Sequence, residues 1–184
     1  MSSTVFDLSI YFLEMESKID SILYRPQSKN TTYDILDTEV DNKVKLLILK
    51  TKQKQMKIGF IWQEILGNYN EFENLGNGHS TGLDIISRSR KIIIELKNRT
   101  NTDNSSSRKT NLNKLSLYKK QNPEYMCVYG TINDNTKQKT NNGYIRTIIH
   151  NEYEIKEYMG MCLLRLILGD NTEIIIDFLR NKLN

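Results

Sequence analysis

The stretch TGLDIISRSRKIIIELKNRTNTDN, residues Thr81–Asn104, sets two isoleucine-rich runs on either side of Arg88-Ser89-Arg90 and places Asp84, Glu95 and Lys97 within them. Two short β-branched runs divided by a polar trio predict a β-hairpin. A two-residue turn at Ser89-Arg90 sets Arg88 opposite Lys91, and the same ladder then sets Asp84 opposite Glu95. Opposed residues share a face of the sheet, and Lys97 joins them because side chains repeat with period two. Ile92, Ile94 and Leu96 point the other way, toward a core.

Carboxylates face to face repel each other, so the predicted pair calls for a positive group between them. Two acid oxygens, completed by a backbone carbonyl, waters and a phosphate, describe an octahedral Mg2+ site. A zinc site would use His or Cys. A charged lysine cannot ligate a metal, but it can orient a water or stabilise charge developing on a phosphorane. The set points to metal-assisted hydrolysis of a phosphodiester.

Working outward, residues 4–24 carry Phe6, Ile10, Leu13, Ile19, Ile22 and Leu23 at helical spacing, stopped by Arg25-Pro26. Residues 42–69 read as one or two helices ending at Gly67-Asn68, with Glu64 in the final turns. A short strand precedes the Gly/Asn-rich loop that ends at His79. After the hairpin, residues 105–121 form a helix closed by Asn122-Pro123, YMCVYGTI a buried strand, residues 133–142 a polar loop, GYIRTIIH another strand, and residues 159–183 two terminal helices. From Ile58 to Ile132 the order is helix, strand, strand, strand, helix, strand, an α/β fold with a central sheet and further helices around it.

At 184 residues the chain fits one domain, 1–184, able to bury a core without disulfides or structural metals. A net charge of +4 permits nucleic-acid binding without requiring it. Cys127 and Cys162 stand apart among apolar neighbours with no metal-binding spacing, so both are expected as reduced core thiols in a cytoplasmic protein. No membrane span and no secretion signal is expected.

Ten residues separate Asp84 from Glu95, and one separates Glu95 from Lys97. On a hairpin between a Glu64-bearing helix and a helix-strand unit, this pattern resembles the PD-(D/E)xK restriction-endonuclease-like core. WQEILGNYNEFENLGNGHSTGLDI, KIIIELKNRTNTDNSSSRK and NPEYMCVYGTIND further resemble a small family of type II restriction endonucleases that includes cutters of GGNCC-type sites. The resemblance covers about residues 58–134, taken as the catalytic core. It implies a magnesium-dependent endonuclease with Asp84 and Glu95 as metal ligands, Lys97 as the catalytic lysine and Glu64 as an added helix-borne acid. Glu71 or Glu73 are alternatives for that fourth acid. Gly82-Leu83 stand where the motif nominally has proline before the aspartate.

That reading implies a homodimer that cuts double-stranded DNA at a short palindrome and leaves 5′-phosphate ends. A structure-selective nuclease and a catalytically silent DNA-binding protein are the alternatives. Asn98, Arg99, Asn101 and Asn104 have amide and guanidinium forks suited to purine edges, although an Asn-rich loop is also simply a turn. Ser105, Ser106, Ser107, Arg108 and Lys109 either cap the next helix or turn its N-terminus toward a phosphate. His79 is a candidate DNA contact or an exposed loop residue, and His150 is expected to do no chemistry.

Overall fold

The computed structural model describes residues 6–25, 42–76, 78–99, 104–133 and 142–183, with the backbone alone for residues 42–49. The elements in chain order are α1 (Leu8–Leu23), α2 (Asn42–Gly67), β1 (Glu73–Asn74), β2 (Ile85–Ser87), β3 (Ile92–Arg99), α3 (Ser105–Gln121), β4 (Met126–Asn133), β5 (Ile145–His150), β6 (Tyr153–Met159), α4 (Met161–Leu168), a 3-10 turn (Gly169–Asn171) and α5 (Thr172–Leu183). The six strands form one mixed sheet in the order β1-β2-β3-β4-β6-β5. No helix among the described residues is long and apolar enough to cross a membrane.

The hairpin takes the register expected from its sequence, with Ile85 opposite Ile94, Ile86 opposite Ile93 and Ser87 opposite Ile92. Its connection is wider than a two-residue turn, because residues 88–91 all lie outside the ladder. Ser87 Oγ accepts the Arg90 amide at 3.3 Å, and Lys91 takes a left-handed φ of 53°. Those local bonds satisfy the backbone of the wider loop, so Arg88 and Lys91 sit in the turn instead of facing each other.

Beyond the hairpin, β3 and β4 run parallel, as do β4 and β6, while β5 returns antiparallel to β6. Strand β6 lies inside the sheet, but its sequence YEIKEYM gives little sign of this, since charged residues alternate through it. The β5–β6 turn is made by Asn151 and Glu152, both at positive φ, 48° and 69°. Tight hairpin turns favour that geometry but usually mark it with glycine, which is absent here.

The two faces of the sheet bury different cores. On one, Ile92, Ile94, Val128 and Ile132 pack against Tyr11, Met15 and Ile19 of α1, Ile61 and Ile65 of α2, Leu163 and Ile167 of α4, and Ile175 of α5. A Cβ on Gly130 would come within 2.9 Å of Leu163, so glycine there admits α4 close to β4. On the other face Ile93, Cys127, Tyr129 and Ile155 pack against Leu112 and Leu115 of α3. Both cysteines are free, Cys127 buried and Cys162 partly exposed. Burial pushes the Cys127 thiol up to about 11, which keeps it protonated and inert.

Candidate active site

Strand β3 divides its side chains by parity: Ile92, Ile94 and Leu96 go to the large core, and Ile93, Glu95 and Lys97 go to the α3 side. Ile93 is fully buried in the smaller core, whereas Glu95 and Lys97 lie where that core gives out toward the strand's carboxyl end. Asp84 stands just before β2. Its amide donates to Ile94 O at 3.1 Å and its carbonyl accepts from Leu75 N at 2.9 Å, which fixes the backbone on both sides. Its Oδ2 accepts the Leu96 amide at 2.7 Å, so the carboxylate is drawn onto the opposing strand.

Glu95 is 3% exposed. Lys97 Nζ donates to its Oε1 at 2.7 Å, while Oε2 is buried with no hydrogen-bond partner among the described residues. A buried carboxylate oxygen without a donor is costly unless a ligand supplies the missing charge. Burial raises the Asp84 carboxyl above the ordinary carboxylate range, against the opposing pull of the Leu96 amide and of Lys97 and Lys114. Burial raises Glu95 as well, and the neighbouring charge of Asp84 adds to the shift. Asp84, Glu95 and Lys97 therefore form one electrostatic unit that is short of positive charge.

No group of three or more His, Cys, Asp and Glu side chains gathers among the described residues. The donor set is instead two carboxylates with one orphaned oxygen, which suits a hard cation that keeps water or phosphate oxygens in its remaining positions.

Lys114 of α3 is the site residue that sequence reasoning missed. Its Nζ donates to Gly82 O at 3.1 Å and to Asn111 Oδ1 at 3.4 Å, and its charge acts on both Asp84 and Glu95. The sequence shows it only as one of several lysines on the polar side of an amphipathic helix.

The remaining candidates are dispersed. Glu64 accepts from Asn68 and Asn74, each at 2.9 Å, and pairs with Lys18 at 3.2 Å; none of these contacts joins it to Asp84, Glu95 or Lys97. Glu73 pairs with Arg88 at 3.2 Å, and Glu71 is exposed. His79 is exposed, with Nδ1 2.9 Å from Thr81 Oγ1 inside its own turn. Asn98 Oδ1 accepts from Asn133 Nδ2 at 2.8 Å, and Arg99 is exposed at the end of β3. Asn101 lies outside the described residues.

Asn104 caps α3, its Oδ1 accepting from Ser107 N at 2.8 Å, while Ser105, Ser106, Ser107 and Lys109 are exposed on the first turn. Arg108 points inward. Its Nη2 donates to Glu157 at 2.5 Å and its guanidinium lies 4.6 Å from the Tyr129 ring centroid. Glu157 also holds Arg146. His150 contacts Asn113 Oδ1 at 2.7 Å through Nε2, and its carbonyl accepts from Ser116 Oγ, both of which tie β5 to α3.

The family model of the Eco47II restriction endonuclease matches residues 13–157. The chain belongs to the Eco47II restriction endonuclease family. It is a site-specific deoxyribonuclease acting on DNA, and the matched span contains every element that builds the Asp84, Glu95 and Lys97 cluster. No curated protein and no solved structure matches the chain.

Proposed function

We propose that this restriction endonuclease is a PD-(D/E)xK enzyme that hydrolyses double-stranded DNA at a short palindrome, with residues 1–184 as a single nuclease domain acting as a homodimer. Asp84 and Glu95 hold Mg2+, and Lys97 is the catalytic lysine. The reading rests above all on the buried Oε2 of Glu95 beside Asp84, without a hydrogen-bond partner among the described residues, an arrangement that a bound cation would relieve. The helix-strand-strand-strand-helix-strand run from α2 to β4 agrees with it.

A bound divalent cation would polarise the scissile phosphate and lower the pKa of a coordinated water. Asp84 is kept in orientation by the Leu96 amide, so its carboxylate stays turned toward Glu95 rather than to solvent. Lys97 gives one of its three ammonium donors to Glu95, leaving others for the attacking water or a phosphate oxygen. Ile93, two residues before Glu95 on the same face of β3, is fully buried with Leu115 of α3 in the smaller core. Attack of water on phosphorus in line with the departing 3′-oxygen forms one P–O bond, breaks the P–O3′ bond and leaves 5′-phosphate and 3′-hydroxyl ends, the leaving oxygen taking up a proton.

Asp84→Ala, Glu95→Ala and Lys97→Ala are each expected to cut plasmid at least about a hundredfold more slowly than wild type, as the loss of one transition-state charge contact does elsewhere. DNA binding should persist. Cleavage near the wild-type rate by any one of the three removes that residue from its role.

A further inference from the structure

We infer that Lys114 is a positioning residue of the nuclease site, clamping the Gly82–Asp84 segment onto α3 so that the Asp84 carboxylate is presented to Glu95. This deepens the proposed reading and rests on it. Three observations converge. Gly82 has φ +62, and a Cβ built on it would lie 3.3 Å from Lys114 Cε and 3.4 Å from Nζ, so the lysine stem lies directly over bare backbone. The ammonium then bonds Gly82 O at 3.1 Å. It is steadied by Asn111, a residue only 6% exposed, at 3.4 Å.

Asp84 lies two residues beyond that clamp. Other hydrogen bonds on the segment include the Gly82 N to His79 O bond at 2.8 Å, the Leu83 N to Thr81 Oγ1 bond at 3.2 Å and the Asp84 N to Ile94 O bond, beside the Leu75 and Leu96 amides that Asp84 accepts. The first two are made within the exposed turn itself, and the third ties Asp84 to β3. Leu83 packs in the smaller core with Leu112 and Leu115 of α3, and Lys114 adds a hydrogen-bonded link from the turn to the same helix. Its charge also faces both carboxylates, a second ammonium beside that of Lys97.

Lys114→Met keeps the stem that packs on Gly82 and removes the donor and the charge, while Lys114→Arg keeps both. Single-turnover cleavage at saturating DNA and Mg2+ by Lys114→Met should fall at least about tenfold, since an ångström of misplacement at a reacting group can cost roughly a hundredfold. The loss should fall on kcat rather than KM. Lys114→Arg should recover most of the rate. In the metal-free protein, amide exchange at Gly82, Leu83 and Asp84 should accelerate in Lys114→Met, while Ile93 and Ile94 stay protected and the melting temperature holds.

Cleavage by Lys114→Met within about twofold of wild type overturns the inference. So does unchanged exchange at Gly82–Asp84. Asp84→Asn serves as the parallel control: if it cuts like wild type, the proposed site itself is wrong, whereas an inactive Asp84→Asn beside an unimpaired Lys114→Met removes only the role of Lys114.

Discussion

Glu95 carries two oxygens in different circumstances, one on Lys97 and one buried with no partner among the described residues, and the like charge of Asp84 acts on it. Such an arrangement stabilises a ligand at the expense of the free protein. Both carboxyls are raised above their ordinary values, first by burial, so their contribution to stability is present below the unfolded pKa and is lost as pH rises through the folded one. Asp84→Asn removes one charge, and its Oδ1 can still accept the Leu96 amide. The metal-free variant is therefore expected to be more stable than wild type at pH 8 by on the order of 1 kcal/mol, with the difference vanishing near pH 4. Added Mg2+ should narrow the gap by stabilising the wild type selectively. Urea titrations at the two pH values read this directly, and a variant less stable than wild type at pH 8 contradicts the assigned repulsion.

At the scale of elements, α3 performs two tasks that its sequence does not separate. Adjacent basic residues on its first turn point to different surroundings: Arg108 inward to the buried Glu157, Lys109 to solvent. Arg108→Glu would oppose two carboxylates and is expected to destabilise the fold by about 3 kcal/mol, the low end for disrupting a buried pair, because Arg146 still holds Glu157. Lys109→Glu should leave the melting temperature unchanged and weaken DNA binding at low salt, with the salt slope falling by roughly one for a lost phosphate contact. Equal melting temperatures for the two variants would refute the division.

The same helix shows what a single sequence discloses. Its limits, Ser105 to Gln121, follow from the serine-rich start and the Asn122-Pro123 stop, and the hairpin register follows from alternation. Local signals of that kind also mark α1, α2, β4, β5 and the two terminal helices. Strand β6 escaped because Glu157, a charge in the middle of an interior strand, is tolerated only through arginines supplied by α3 and β5. Lys114 escaped for the same reason: its partner Gly82 is distant in sequence, and helical periodicity reports a face, not what approaches it.

At the scale of the whole molecule, the described residues carry one Asp84, Glu95 and Lys97 cluster, so under the proposed function one chain would cut one strand. In the proposed homodimer, a double-strand break at a symmetric site is made by two copies related by a twofold axis, each reading one half of a palindrome. Under the proposed function strand β3 would connect cutting with reading, because Arg99 stands two positions beyond Lys97 on the same strand, with Asn98 between them anchored to Asn133 of β4. With the cleaved phosphate at the proposed site, a guanidinium there would be suited to bond both O6 and N7 of a guanine, a contact worth about 1–3 kcal/mol of discrimination. Arg99→Ala is therefore expected to slow cutting at the preferred site by roughly tenfold or more while barely changing affinity for unrelated DNA, since tenfold corresponds to about 1.4 kcal/mol. Sequencing the ends of digested plasmid identifies the site, and rates on oligonucleotides with and without it give the ratio. Mixing wild-type chains with Lys97→Ala chains adds the dimer to the same assay, because mixed pairs should nick one strand where wild-type pairs break both. Breaks scattered without a shared motif, or equal losses on preferred and unrelated DNA for Arg99→Ala, would return Arg99 to a backbone contact and leave specificity to other residues.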